Sequence, residues 1–400
     1  MKLKRLPEDF QVVELPAVSP RADGYYTYYR LTKSGIGTPE AVEAIRRRWN
    51  LSSKQIAYGG MKDRHAKTTQ YLTIAEGPNR ALNEDSFSLA PLGALPHPYG
   101  PRFFRGNRFQ LILRDMSAQA AAQATQALEQ TCQVGLPNYF DDQRFGSVGQ
   151  SREFLAESWL KGDYERALWL ALADPNALDR PGIRQEKEIV RACWGDWATA
   201  KQRLPKSHAR SLVTYLVDHP TDFRGAGIRL NRTFRSLAFS AYQSHLWNVW
   251  HSALIERLAG NDRAFTMEFA TAPLAIPTRL DPPEIREFAD WNFPLPSARG
   301  TLPAGSAGDL ISTILHERGM DWNQLRIKHM KDLFFSKGSR PARFVPENLT
   351  FETKPDDLYP GRSKLLLDFE LGKGSYATIV VKRITRAPMP LEACDDSDPV

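Results

Sequence analysis

The alternation of apolar and polar residues predicts a sheet in the first third of the chain. Residues 8–14 and 25–32 have strand composition, and the second run alternates weakly. The shorter runs 55–58 and 71–76 are rich in β-branched and aromatic side chains, which also favour strands. Four strands are therefore predicted, with a polar loop between the last two.

Two helices are predicted beside these strands. Pro39 suits a first helical position and Thr38 can cap it, and the apolar residues that follow recur on one helical face. The second helix is predicted over 117–133, which is rich in Ala and Gln, and Gly135 should end it.

Two further stretches have strand composition. Residues 103–115 predict a hairpin or a bulge around Gly106 and Asn107, followed by a buried strand. Near the end of the chain, 364–371 and 376–384 predict a C-terminal hairpin that rejoins the first sheet.

The pattern changes at about residue 150, where helices with large aromatic residues begin. One of these helices should cover 234–259, whereas 292–308 is rich in Pro and Gly and predicts a loop. The residues after 387 carry no pattern and are expected to be disordered. A length of 400 residues and this change of texture favour two domains.

Composition narrows the class of protein. There are 53 Lys and Arg residues against 46 Asp and Glu, and the basic clusters are interleaved with aromatic residues, as on nucleic-acid-binding surfaces. Cys132, Cys193 and Cys394 form no C-x-x-C pair, which is typical of a reducing cytoplasm. The sequence contains no run of about 18 apolar residues, so no membrane span is predicted. The eight His residues lack partners at ligand spacing, so no metal site is predicted.

The loop 59–70 concentrates candidate chemistry. Its sequence is GGMKDRHAKTTQ, in which Asp63 is the one acid among several cations. Cations close in space favour the ionised carboxylate, which could act as a nucleophile or base. Spacing alone favours a solvated surface acid.

Five ordered motifs resemble those of the TruD family of pseudouridine synthases. The loop matches the family's nucleophile motif at Gly60, Lys62, Asp63, Arg64, Ala66, Thr68 and Gln70. The other four matches are Lys4, Pro7, Glu8, Asp9, Phe10, Val12 and Glu14; Asn138, Phe140, Arg144, Phe145 and Gly146, with Asp141 where glycine is usual; Ser240, Ala241, Ser244, Leu246, Trp247 and Asn248; and Leu371, Gly374, Ser375, Tyr376, Ala377 and Thr378.

The resemblance implies an α+β fold. Its catalytic domain would be a pseudouridine synthase domain with a curved mixed or antiparallel sheet, interrupted by an α/β insertion domain. The expected boundaries are 1–149 for the first part of the catalytic domain, 150–343 for the insertion, 344–388 for the closing strands and 389–400 for a disordered acidic tail.

The same resemblance implies a function and its residues. The expected reaction is isomerisation of uridine to pseudouridine at position 13 in the D arm of tRNA, without cofactor or metal. Asp63 would be catalytic, and the RNA-binding residues would be Lys62, Arg64 and Arg144. The uridine would be bound by Lys4, Phe10, Asn138, Phe140 and Tyr376, with Phe140 stacked on the uracil. Composition alone favours a place in the core for the three aromatic side chains.

Two other functions fit the same surface. A catalytically silent protein could clamp tRNA with these basic residues, and a glycosylase could hydrolyse the glycosidic bond without rejoining it. The intact motif around Asp63 argues against the silent protein. Composition gives no oligomeric state.

Overall fold

The computed structural model describes residues 1–260 and 262–385. The predicted acidic tail, 389–400, lies outside the described residues. The first part of the chain forms seven strands and two helices. These are β1 (Phe10–Pro16), β2 (Tyr26–Lys33), α1 (Thr38–Trp49), β3 (Ile56–Tyr58), β4 (Lys67–Ala75), β5 (Leu82–Glu84), β6 (Phe87–Leu95), β7 (Phe104–Met116) and α2 (Ala118–Val134).

A run of helices and short strands follows. Its elements are β8 (Leu136–Pro137), α3 (Leu155–Leu160), α4 (Tyr164–Leu172), α5 (Pro181–Ala192), α6 (Trp197–Arg203), α7 (His208–Asp218), α8 (Phe223–Ile228), α9 (Arg232–Ala259), β9 (Ala264–Glu268), β10 (Pro273–Pro277), α10 (Pro282–Asp290), β11 (Asn292–Pro294), α11 (Ser306–Glu317), β12 (Ser339–Pro341) and β13 (Arg343–Phe344). The described chain closes with β14 (Glu347–Pro355), β15 (Ser363–Gly372) and α12 (Ala377–Thr385).

The main sheet is mixed, which confirms the expected α+β class. Its order is β14-β15-β7-β1-β4-β2-β6-β5, and β3 pairs with β4 beside this path. Strands β1 and β4 run parallel, whereas the other described pairs in this sheet are antiparallel. Because β1 and β4 are adjacent, the start of β1 lies beside the start of β4, where the loop 59–66 arrives.

Helix α1 covers one face of the sheet. Its buried residues Ala41 and Ile45 pack in one cluster with Tyr29, Leu31 and Leu72 of the strands. The helix begins at the predicted place, but Thr38 is its first residue and not its N-cap, which is Gly37. The Thr38 hydroxyl is instead used by the polar loop, as described below.

Of the hairpin and the bulge predicted as alternatives near Gly106, strand β7 excludes the hairpin, and its register shift beside Gly106 agrees with the bulge. The stretch is one continuous strand of 13 residues, and the irregularity lies in its pairing with β1, whose register shifts between Leu15 and Pro16. A Cβ on Gly106 would lie 2.1 Å from the carbonyl oxygen of Leu371. Glycine therefore serves close approach of two strands here and not a turn.

The C-terminal prediction was half wrong. Strand β15 forms as predicted, and it pairs with β7 and with β14, which was not predicted. The second predicted strand, 376–384, is wrong, because Ala377–Thr385 forms helix α12. A short apolar run with β-branched residues has no decisive period. Packing against α2 decides the outcome, and the Arg383 guanidinium donates to Gln130 of α2.

The contacts divide the described chain into two compact units. The first comprises 1–135 and 344–385, and the second comprises 136–343. Residues 136–149, which the sequence analysis placed in the catalytic domain, pack in the second unit. The reason is that Phe140 is hydrogen bonded on both sides of its backbone to Asn248 of α9.

Replacement of Gly106 by alanine should destabilise the first unit. The new methyl group would meet a backbone oxygen of the neighbouring strand, so we expect a loss of about 1 to 3 kcal/mol in the free energy of unfolding. Gly372→Ala is the matched control, because Gly372 pairs with Gly106 and its added Cβ has nothing within 4 Å. Urea denaturation of both variants measures the difference, and equal losses would contradict this account.

Candidate active site

The polar loop 59–66 connects β3 to β4. It begins against the sheet, because a Cβ on Gly59 would lie 2.9 Å from the Phe104 ring and 3.2 Å from the Glu14 carboxylate. Only glycine permits this approach without a shift of its neighbours. The loop therefore leaves the strand at a fixed point and carries Asp63 beyond the sheet end.

Asp63 is held by a lysine from the N-terminal segment. The Lys4 Nζ lies 2.7 Å from one carboxylate oxygen, and the backbone N–H of His65 donates to the other at 3.0 Å. The same Lys4 ammonium lies 4.6 Å from the centroid of the Phe10 ring, within cation–π range. Lys4, Phe10 and Asp63, which were predicted as site residues, thus meet around one ammonium group.

The environment of Asp63 favours its ionised form. Burial raises the pKa of the carboxyl group, but the hydrogen bond and charge of Lys4, with the His65 N–H and charge, outweigh burial and hold the pKa below its ordinary value. The side chain nevertheless keeps 27% of its surface exposed. Asp63 is therefore a carboxylate at neutral pH that remains open to a reactant.

Side chains hold the backbone of the loop. The Thr38 hydroxyl accepts from the Lys62 N–H at 2.9 Å and donates to the Gln70 side-chain oxygen at 2.8 Å. The Gln70 amide in turn donates to the Gly60 carbonyl at 3.3 Å. A loop without ladder hydrogen bonds needs such partners for its polar groups.

Lys62 lies in a buried ion pair. Its Nζ is 2.9 Å from the carboxylate of Glu14, whose side chain is fully buried. The other oxygen of Glu14 accepts from the Tyr99 hydroxyl at 2.8 Å and from the Tyr71 N–H at 3.3 Å. The pKa of the Tyr99 hydroxyl is raised, mainly by burial and secondly by the negative charge of Glu14. Since the Lys62 ammonium is taken by Glu14, this placement argues against its predicted contact with RNA.

Arg64 and Tyr376 are the other predicted residues of the first unit. Arg64 is 38% exposed and lies 3.2 Å from Glu40 of α1. Tyr376 is half-buried in the turn before α12, where its carbonyl accepts from the Ile379 N–H. The contacts of Arg64 leave it at the surface, as a phosphate-binding residue requires.

In the second unit, Asn138 is buried, and both polar groups of its side-chain amide are hydrogen bonded. The Arg340 Nη2 donates to its side-chain oxygen at 2.8 Å, and its NH₂ group donates to the Pro341 carbonyl at 3.1 Å. Arg340 also donates to the backbone carbonyl of Asn138 at 2.7 Å. The amide of Asn138 thus orients Arg340.

Phe140 is fixed by the same group. Asn248 accepts from the Phe140 N–H and donates to its carbonyl, both at 2.8 Å. The Arg340 guanidinium lies 4.2 Å from the ring centroid, Trp247 meets the ring edge to face at 5.7 Å, and Arg144 is 5.9 Å away. The ring is half-buried and rigidly oriented.

Three polar residues that hold predicted site residues within their own unit were not themselves predicted as site residues. They are Lys33, Thr38 and Arg340. The burial of Lys33 could have been predicted from the sequence, because it ends a strand in phase with the apolar residues Tyr29 and Leu31 and is buried like them. The role of Arg340 could not have been predicted, since its partners lie about 200 residues away in the chain.

The described residues contain no group of three or more His, Cys, Asp or Glu side chains arranged to hold a metal ion. Among the helices of residues 1–260 and 262–385, none has the length and apolar character needed to cross a bilayer.

Glu14→Gln should destabilise the first unit strongly. The change leaves the Lys62 ammonium buried without a counter-charge, which typically costs about 3 to 5 kcal/mol in the free energy of unfolding. The double variant with Lys62→Met should recover part of this loss, because no buried charge then remains. Glu8→Gln, at an exposed position, is the control. Urea unfolding curves that coincide for Glu14→Gln and Glu8→Gln would show that the buried pair contributes nothing.

Comparison with known proteins places this arrangement in a family. A family model described as tRNA pseudouridine synthase D (TruD) matches residues 1–384. The "Probable tRNA pseudouridine synthase D 2" of Methanocaldococcus jannaschii is 30% identical over 96% of this chain and 91% of its own length. The "Probable tRNA pseudouridine synthase D 1" of Methanococcus maripaludis is 28% identical over 96% of this chain and 99% of its own length.

A solved structure shares the fold. The crystal structure of a protein described as tRNA pseudouridine synthase D from Methanosarcina mazei matches with a TM-score of 0.77 and 24% identity, over 96% of this chain and 93% of that one. Since the family model spans nearly the whole chain, this protein belongs to the tRNA pseudouridine synthase D (TruD) family.

Proposed function

We propose that this protein isomerises uridine 13 in the D arm of tRNA to pseudouridine, with Asp63 as its catalytic carboxylate. The observation that carries the proposal is the ionised, partly exposed Asp63, held by Lys4 within the family's nucleophile motif. Membership of the family supports tRNA as the substrate. The position within tRNA rests on the resemblance alone.

The reaction asks little of the protein beyond a carboxylate and a closed pocket. The bond from ribose C1′ to uracil N1 breaks, C1′ bonds to C5, and the proton on C5 is lost while N1 gains one. Nothing is oxidised or reduced, so no redox or phosphate donor is needed. Asp63 would attack the sugar or the base, or remove a sugar proton, once the uridine has been flipped out of its stack.

Lys4 serves this role in two ways. Its ammonium keeps Asp63 charged, and its position over the Phe10 ring fixes the direction from which it holds the carboxylate. A carboxylate that is already ionised and oriented needs no reorganisation when the substrate arrives. Phe10 is 6% exposed and acts as the support for Lys4.

We assign base stacking to Phe140. Its ring orientation is set by the paired hydrogen bonds to Asn248 and by Arg340 over the ring, so its rotamer is fixed before a base binds. Asn138, which was expected to bond the uracil, acts through Arg340, because both halves of its amide are already engaged. Tyr376 keeps its assignment to the pocket wall on the resemblance alone.

An exposed basic surface on the second unit supports RNA as the ligand. Phe334 is 63% exposed, and the Arg299 guanidinium lies 4.7 Å from its ring centroid. Both line a groove of about 450 Å³ with Arg326 and Lys331, which form no ion pair with any described residue. Cations beside an exposed ring suit phosphates and unpaired bases.

Asp63→Asn should abolish pseudouridine formation and leave tRNA binding at least comparable. The change keeps the size of the side chain but removes the charge that a nucleophile or base needs. Loss of a negative charge beside RNA also favours binding. Tritium release from C5-labelled uridine 13, run beside a binding titration, measures both properties. Asp85→Asn, at an exposed position of the same unit, is the control and should remain active.

Each outcome of this experiment selects one function. Activity retained by Asp63→Asn would remove Asp63 from the chemistry. A wild-type protein that binds tRNA but modifies no uridine would be the silent binder. Free uracil in solution would identify a glycosylase.

Phe140→Leu should impair turnover while tRNA affinity is largely kept. Stacking is worth about 1 to 3 kcal/mol per base, so the rate should fall by about 5-fold to 150-fold. Phe334→Leu is the contrasting variant, because its exposed ring should affect binding more than the rate. Single-turnover rates and titrations on both proteins test the assignment. Cooperative unfolding of Phe140→Leu at room temperature would instead place Phe140 in the core.

A further inference from the structure

Lys33 is a buried lysine whose head group is bonded to the catalytic loop. It ends β2, and 1% of its surface is exposed. The Nζ donates to the carbonyl of Asp63 at 2.8 Å, to that of Lys62 at 3.2 Å and to that of Ile36 at 2.8 Å. Two of these three carbonyls belong to the loop that carries the catalytic carboxylate.

The chemistry of the head group matches this arrangement. A protonated lysine has three N–H donors and no acceptor, and each donor here has one carbonyl. Lys33 forms no ion pair with any described residue, so the hydrogen bonds and not a counter-charge define its position. With Thr38 and Gln70, which bond Lys62 and Gly60, it satisfies the loop backbone from three separate elements.

The buried charge costs stability. Burial lowers the pKa of Lys33 to about 8; the charges of Asp63 and Glu40 act against this, and those of Lys62 and Arg64 act with it. The folded pKa lies below the unfolded value of 10.5, so between these values the unfolded chain binds more protons. The contribution of Lys33 to the free energy of unfolding therefore rises with pH across this window and is smallest below pH 8. Stability alone would be served better by a neutral group.

We propose that Lys33 is a positioning residue for the reaction. By holding the carbonyls of Lys62 and Asp63, it fixes the backbone that directs the Asp63 carboxylate toward Lys4 and toward the uridine. Lys33 contacts no reacting atom in this account. The inference rests on the proposed function, because it explains how Asp63 is kept in a reactive orientation.

Lys33→Met tests the proposal, since it removes the donors and keeps an unbranched side chain. The single-turnover rate of pseudouridine formation should fall about 100-fold, the loss that a displacement near 1 Å can cause. Affinity for tRNA should be unchanged. Lys54→Met, at an exposed position of the same unit, should keep the wild-type rate.

The pH profile separates positioning from general destabilisation. If the loop moves, Asp63 loses part of its contact with Lys4 and its pKa rises, because that contact contributes most to lowering it. The rate of Lys33→Met should then begin to fall at a higher pH than that of the wild-type enzyme as the solution is acidified. A loss that is equal at all pH values would overturn the proposal.

Hydrogen exchange gives a readout that does not depend on activity. The Lys62 amide donates to the Thr38 hydroxyl of α1, and the His65 amide donates to the Asp63 carboxylate. Both amides should exchange faster in Lys33→Met, whereas amides of β4 should not change. Lys33→Arg keeps a charged donor and should restore loop protection and part of the rate. Unchanged loop protection in Lys33→Met would overturn the inference.

The two proposals fail in different ways. If the wild-type protein forms no pseudouridine, the proposed function is wrong, and exchange of the Lys62 and His65 amides still decides whether Lys33 holds the loop. If the wild-type protein is active and Lys33→Met matches it, only the role of Lys33 is wrong. Should Lys33→Met fail to fold, the rate of Lys33→Arg and its fall at acidic pH decide the question. Wild-type affinity with a rate between zero and the wild-type value supports the role of Lys33. A variant that keeps its loop amides protected but has no activity overturns it.

Discussion

A loop that carries a reactive group and has no ladder partners must have its polar backbone groups satisfied by something else. In this protein, Lys33 from β2, Thr38 from α1 and Gln70 from β4 supply those partners for the loop 59–66. Each donor or acceptor comes from a rigid element, so the position of the loop follows from the sheet and the helix. The position of the Asp63 carboxylate is therefore set by the fold.

Burial of charge is the cost of this arrangement. Glu14 and Lys62 form an ion pair under the loop, and Lys33 adds a second buried ammonium close by. Neither feature is favourable for stability in itself, because desolvation of charges offsets much of their attraction. Both lie beside Asp63, the carboxylate that we propose to be catalytic, and functional sites are where stability is often exchanged for function.

The sequence predicted much of the sheet. The strands around the loop and the helix after β2 could be inferred from local pattern. Motifs also grouped Lys4, Phe10 and Asp63, which meet around one ammonium group, and the catalytic role of Asp63 stays a prediction. The helix α12 could not be inferred, because its apolar run is compatible with a strand until packing on α2 is known. The choice between a hairpin and a bulge at Gly106 could not be made for a similar reason, since glycine marks both turns and close strand contacts, and the structure has an irregular strand there.

Motifs indicate which residues matter, and contacts indicate how they act. Asn138 belongs to a motif and was expected to bond the uracil, yet both halves of its amide are engaged, one of them by Arg340. Arg340 lies over Phe140, so Asn138 acts on the orientation of that ring through Arg340, a residue that belongs to none of the motifs. Lys33 shows the same principle in the first unit, where a residue outside the nucleophile motif bonds the backbone of two residues inside it. A change at Asn138 or Lys33 should therefore alter the geometry of the site and not its chemical groups, and conservative substitutions that keep the bonds should be tolerated there better than at Asp63.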